Sequence, residues 1–189
     1  MIKKIILGLG LIVTMVFVFA GITNAATPAK LSVPHWQKSS VTVYIPAKDP
    51  QAAAVKQAFS AWQGASSGKL NFSYVLKKPA DIEVVFSEKA SSAATPIASY
   101  SVSTNGQQIT KATITVASKG QKIKKYSKSY INTALIHIVG RTIGMPANPR
   151  KKSSIMFAPV YDGQNIMKID VMKLYKVYGW SYSDRRLSD

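Results

Sequence analysis

Residues 41–45 alternate apolar and hydroxyl-bearing side chains, Val41-Thr42-Val43-Tyr44-Ile45, and then meet Pro46. A period of two sends successive side chains to opposite faces, so this segment predicts a half-buried strand closed by a turn. The period then changes. Val55, Phe59 and Trp62 recur at helical spacing until Gly64. With Asp49 in the N-cap place and Pro50 at the first helical position, this predicts a helix over 49–64 whose apolar stripe lies on a sheet. Residues 72–76 and 82–86 read as two further strands separated by lysines and a proline, 97–102 as an edge strand, and 111–117 as a strand that buries Ala112, Ile114 and Val116.

The C-terminal half is helical in its periodicity. Ile131, Leu135 and Ile138 mark one face of a helix over 129–143, capped at Ser127 or Ser129 and stopped by Gly144 and Pro146. A last helix over 170–179 carries Val171, Leu174 and Tyr178 and ends at Gly179. Four or five strands followed by helices predict an α+β fold: a twisted mixed sheet with two packed helices and a small C-terminal subdomain holding a third.

Composition narrows the setting. Lys3 and Lys4, an apolar run over 5–20 and the small residues Ala25 and Ala26 predict a secretory signal peptide over 1–25. A linker over 26–40, one domain over 41–180 and a flexible tail over 181–189 follow. The apolar run is shorter than the roughly 20 residues of a bilayer span, so no stable membrane span is expected after signal removal. The chain has no cysteine, so no disulfide staples it and no thiolate holds a metal. Of its 25 basic and 8 acidic residues the signal removes two lysines, which leaves 23 against 8, a formal +15. Such an imbalance implies attraction to polyanions outside the cell: anionic wall polymer, acidic lipid headgroups or free nucleic acid. Lys119, Lys122, Lys124, Lys125 and Lys128, together with Arg150, Lys151 and Lys152, are expected to form one continuous polyanion-binding surface. Solvated loop charge is the plainer account of the same residues.

One stretch carries a family resemblance. His137-Ile138-Val139-Gly140-Arg141-Thr142-Ile143-Gly144-Met145-Pro146-Ala147 lies in register with HExxHxxGxxH, and Ser154-Ile155-Met156 follows like a Met-turn. With Ala80-Asp81-Ile82 and the closing Tyr178-Gly179, the chain over about 34–180 resembles the matrixin zinc proteases of the metzincin group. In that motif two histidines at i and i+4 and a third beyond the glycine bind zinc, and the glutamate is the general base. The resemblance makes His137 the first ligand position, Ile138 the glutamate position, Arg141 the second ligand position and Ala147 the third. The scaffold residues Gly144 and Met156 are kept. A catalytic zinc needs about three protein ligands, and one imidazole does not supply them. The resemblance therefore implies the fold without the chemistry: no catalytic residues, no cofactor, and vestigial positions at His137, Ile138, Arg141, Gly144, Ala147 and Met156.

The expected function is that of a secreted pseudo-metalloprotease acting as a binding protein toward an anionic polymer or a protein partner, its oligomeric state open. An active metalloendopeptidase with a migrated site of His137, His35 and Asp162, and a charge-driven nucleic-acid binder, are the alternatives. Arg141, one turn after His137, is expected to fill the vacancy by bonding backbone carbonyls or the side chain of Asn148. The plainer readings make His137 a helix residue bonded to backbone, and make Met156, Trp36, Phe59, Trp62 and Phe86 core.

Overall fold

The computed structural model describes residues 32–118 and 121–182. In chain order they form β1 (Ser40–Tyr44), α1 (Ala52–Ala65), β2 (Asn71–Val75), β3 (Ile82–Phe86), β4 (Ala98–Asn105), β5 (Gln108–Val116), the single turn α2 (Gln121–Lys124), α3 (Lys128–Thr142) and α4 (Lys168–Tyr178). The five strands make one mixed sheet in the order β2-β1-β3-β5-β4. All neighbours are parallel except β4, which pairs antiparallel with β5 at one edge. The architecture is α+β, as the alternation of periods predicts.

The register explains which face is buried. Val41, Val43, Ile82, Val84, Ala112 and Ile114 share one face through the pairings Val43↔Ile82 and Val84↔Ile114, and all are at most 1 % exposed. Phe72 and Tyr74 on that face meet the ring of Phe59 in α1. Tyr100, paired with Ile114, meets Arg141 in α3. Both long helices therefore cover the same face, and the Trp62 indole N–H ties them by donating to the Ile136 carbonyl at 2.8 Å. The other face presents Thr42, Tyr44, Thr113 and Thr115, each half-buried.

Several boundaries differ from expectation. Helix α1 begins at Ala52 rather than 49: the Asp49 carboxylate accepts from the Gln51 N–H at 2.9 Å, and a turn over 49–52 precedes the helix. Strands β4 and β5 are longer than read, because Gly106 at φ +58° closes them into a hairpin. Two residues of the expected linker over 26–40 pack into the fold. His35 and Trp36 are each 2 % exposed, His35 pairs with Gln108, and Trp36 Nε1 donates to the Thr142 carbonyl at 3.0 Å. Nor does the C-terminal part have a core of its own, since Ile155, Met156 and Leu174 belong to the main apolar cluster. Tyr182, inside the expected tail, packs its ring 5.3 Å from Tyr175. The signal segment and residues 183–189 lie outside the described residues. Among the described residues no helix is long and apolar enough to cross a membrane.

Candidate functional site

Helix α3 delivers the motif residues. Ser127 caps it by accepting from the Tyr130 N–H at 2.9 Å. It closes in a Schellman arrangement: Met145 N donates to Gly140 O at 3.0 Å, Gly144 N to Arg141 O at 3.3 Å, and Gly144 takes φ +89°. A Cβ at Gly144 would stand 2.3 Å from the Pro34 carbonyl oxygen, so only glycine lets the first residues of the fold close over this turn. Trp36 Nε1 and the Tyr178 hydroxyl take up the carbonyls of Thr142 and Ile143 at 3.0 and 2.9 Å.

His137 is 2 % exposed, and its Nδ1 lies 2.7 Å from the Ile155 carbonyl. A carbonyl only accepts, so the proton belongs on Nδ1 and Nε2 keeps its lone pair. Burial pushes the imidazole below its ordinary pKa, against the Ile155 bond, and the neighbouring Arg141 charge adds to the push. Arg141 does not reach Asn148, in contrast to one of its two expected partners. Its Nη1 donates to the Met145 carbonyl at 2.6 Å and its Nε to the Tyr100 hydroxyl at 2.9 Å, with the guanidinium 5.6 Å from that ring. The Asn148 side-chain NH₂ is buried without a hydrogen-bond partner, while its backbone N–H donates to Met156 O at 2.8 Å.

Ile138 is fully buried, and so is Met156, whose sulfur lies against the Gly140 backbone, where a Cβ would come within 2.7 Å of it. Ala147 is exposed. Arg141, Tyr100, Val102, Met145 and Ala147 line a cleft of about 270 Å³ beside the edge strand β4. The methionine turn is held from behind. The buried Asp170 carboxylate accepts from the Ser154 hydroxyl at 2.5 Å and from Met167 N–H at 2.9 Å, and Met156 N donates to Ser154 Oγ at 3.1 Å.

These residues do not fit a zinc ion. At the three positions that the resemblance would make ligands stand one imidazole, a guanidinium that has only donors, and a methyl group. Nor do His137, His35 and Asp162 come together. His35 Nδ1 is bonded to Val33 O at 2.8 Å. Asp162 accepts from Ser127 and Ser129 at the first turn of α3, eight to ten residues before His137, a rise of roughly 12–15 Å. Among the described residues no group of three His, Cys, Asp or Glu is placed to hold a metal.

Lys124, Lys125, Lys128, Arg150, Lys151 and Lys152 are all exposed. Lys119 and the side chain of Lys122 lie outside what the structure describes. Between the two described runs stands an acidic turn. Asp162 is bonded to the Ser127 and Ser129 hydroxyls, which hold its carboxyl below the usual range, and Gln164 in the same turn donates to Lys152 O at 2.9 Å. Sequence reasoning missed Tyr100 and Asp170; it expected backbone bonds for His137 and Arg141 without naming the carbonyls of Ile155 and Met145 that take them. Only the parity of β4 could have put Tyr100 on the helix side. No protein-family model matches the chain, and no curated protein matches it.

Proposed function

We propose that the chain is a non-catalytic binding protein on a matrixin-like scaffold, working outside the cell through its basic surface on an anionic polymer. One observation carries the non-catalytic part: at the second ligand position Arg141 is engaged with Met145 O and Tyr100. A guanidinium stays protonated and cannot ligate a metal. The mixed sheet, the glycine turn at Gly144 and Met156 under Gly140 support the scaffold. With Ile138 in place of the glutamate, the carboxylate base of the motif is missing. The excess of 25 basic over 8 acidic residues supports the polymer partner.

The test is metal analysis and peptide cleavage by the purified protein, with and without chelator. No stoichiometric zinc, no cleavage and an unchanged melting temperature in chelator are expected, since only a ligand of the native state stabilises it. One zinc per chain, or a chelator-sensitive peptidase activity lost in His137→Ala, would overturn the proposal.

A further inference from the structure

The parallel strands β1, β2, β3 and β5 all end at one edge of the sheet. The chain leaving β1 turns through α1 to β2 on one side, while the chain leaving β3 goes to β4 and β5 on the other. At such a switch point a crevice opens beyond the carboxyl ends of the strands, where open α/β sheets take ligands. The register deepens it. β3 pairs with β1 only through Ile82 and Glu83, so Val84, Val85 and Phe86 stand beyond the end of β1 as a wall. The resulting cavity, about 440 Å³, is lined by that wall with Tyr44, Lys48 and Lys78.

A second cavity of about 480 Å³ lies on the other side of the start of α1, between Gln51, Ser118 and the α2–α3 corner, with Lys124 and Lys128 over Ile123 and Tyr126. The two meet at the turn before α1, where Asp49 of the first accepts from Gln51 N–H of the second at 2.9 Å. The strand exits also concentrate charge: Lys48 follows β1, Lys77 and Lys78 follow β2, and Lys124, Lys125 and Lys128 follow β5, all of them exposed. Among these, Lys78 alone has a described carboxylate partner, Glu83 at 3.0 Å. Asp49, which lines the first cavity beside Lys48, opposes that lysine, and Lys89 and Glu88 after β3 offset each other.

We propose that this carboxyl edge is the polymer-binding site and that its occupant is a linear polyol-phosphate chain. The Lys48–Lys78 and Lys124–Lys128 pairs take phosphates, and the apolar cavity floors take the carbon linkers between them. β1 and β5 are two strand spacings apart, about 10 Å. One extended polymer bridges that distance with successive charges, and a single phosphate does not. Single-stranded nucleic acid asks for free aromatic faces on which bases stack. Here Tyr126 and Tyr130 stack on each other at 4.8 Å, and the Lys78 ammonium lies 5.6 Å from the centre of the Tyr44 ring. The inference rests on the polymer-binding reading above and moves the site away from Arg150, Lys151 and Lys152.

Two triple variants with the same change in net charge separate the possibilities. One is Lys48→Glu/Lys124→Glu/Lys128→Glu at the edge, and the other is Arg150→Glu/Lys151→Glu/Lys152→Glu in the loop. The probe is labelled poly(glycerol phosphate), titrated from 50 to 200 mM salt, with oligothymidylate as the comparison polymer. At roughly 0.7 of log–log salt slope per neutralised phosphate, the edge variant should lose about two units of slope and at least about tenfold in affinity. The loop variant should keep its slope and stay within about threefold. Equal weakening by both triples, or tighter binding of oligothymidylate, would overturn the edge assignment while leaving polyanion binding intact. If the unmodified protein binds neither polymer at 50 mM salt, the polymer reading fails with it. The milder Lys48→Gln/Lys124→Gln/Lys128→Gln, with an unchanged urea midpoint, gives the same answer should charge reversal unfold the chain.

Discussion

Gly144 stands where a methyl group would meet backbone at close range, and Gly144→Ala measures how tightly the N-terminal segment closes the turn after α3. Two costs combine there. An alanine at φ +89° is in the left-handed half of the map, worth about 1–2 kcal/mol. Its Cβ would also stand 2.3 Å from Pro34 O and 3.1 Å from the Cα of His35. That overlap moves backbone, and the backbone is anchored by the His35–Gln108 bridge and the Trp36–Thr142 bond. Relieving it adds about 1–3 kcal/mol by analogy with overpacked cores. The sum, about 2–5 kcal/mol, is a large part of a typical stability of about 5–15 kcal/mol. Gly106→Ala is the internal control, because Gly106 has φ +58° and nothing within 4 Å of its added Cβ, so only the first cost applies. In urea melts with a slope of about 1.5 kcal/mol per molar, Gly144→Ala should shift the midpoint by about 1–3 M and Gly106→Ala by about 1 M, at unchanged slope. Equal shifts in the two variants would refute the close approach of Pro34 to the turn.

Two further outcomes are expected. The His137 pKa is depressed in the folded protein, so the stability that its neutral ring contributes is complete above about pH 6.5 and is lost as the pH falls through that value toward the folded pKa. Urea midpoints between pH 7.5 and 5 should therefore fall less steeply in His137→Asn, whereas Asp81, also depressed, gives up its share only below about pH 4; identical slopes would exclude His137 as the group. Arg141→His/Ala147→His should bind one zinc with His137 and gain melting temperature that chelator removes. Ile138 stays unchanged there because a glutamate at that fully buried site would strand a carboxylate, and a folded double variant that ignores zinc would show that the cleft no longer has metal-site geometry.

The long helices were legible because their apolar stripes have a period that survives in one dimension. Ser127, Gly144 and Gly179 marked their ends for stated chemical reasons, and the structure uses all three. Tyr100 was not legible in the same way. It alternates with Ser99 and Ser101 between Ala98 and Val102, which gives its parity, but which face of that edge strand is covered is decided by pairing with Ile114, a long-range fact. Trp36 carries no periodicity, so its aromatic bulk marked it as core but nothing local named Thr142 as its partner. The carboxyl edge was hidden for a related reason. Local charge density draws attention to lysines close in sequence, whereas Lys48 and Lys78 line one cavity because β1 and β2 run parallel, and Lys124 lines another beyond the end of β5.

The same reasoning bears on how a chain without cysteine holds about 25 residues of irregular backbone between α3 and α4. Loops of that length inside a compact domain are uncommon unless something ties them. Here the ties are spread along the segment: Asn148 N–H to Met156 O, Ile155 N–H to Asn165 O, the Ser154 hydroxyl to Asp170, and the Asp162 carboxylate to Ser127 and Ser129. His137 and Arg141 belong to this set, since each donates to a carbonyl of the segment, Ile155 and Met145. His137 and Arg141 thus bond the loop directly. Removing either donor leaves a carbonyl that, where buried, costs about 1–3 kcal/mol to strand. The bonds from His137 and Arg141 therefore give both side chains a part in holding the fold that calls on no metal.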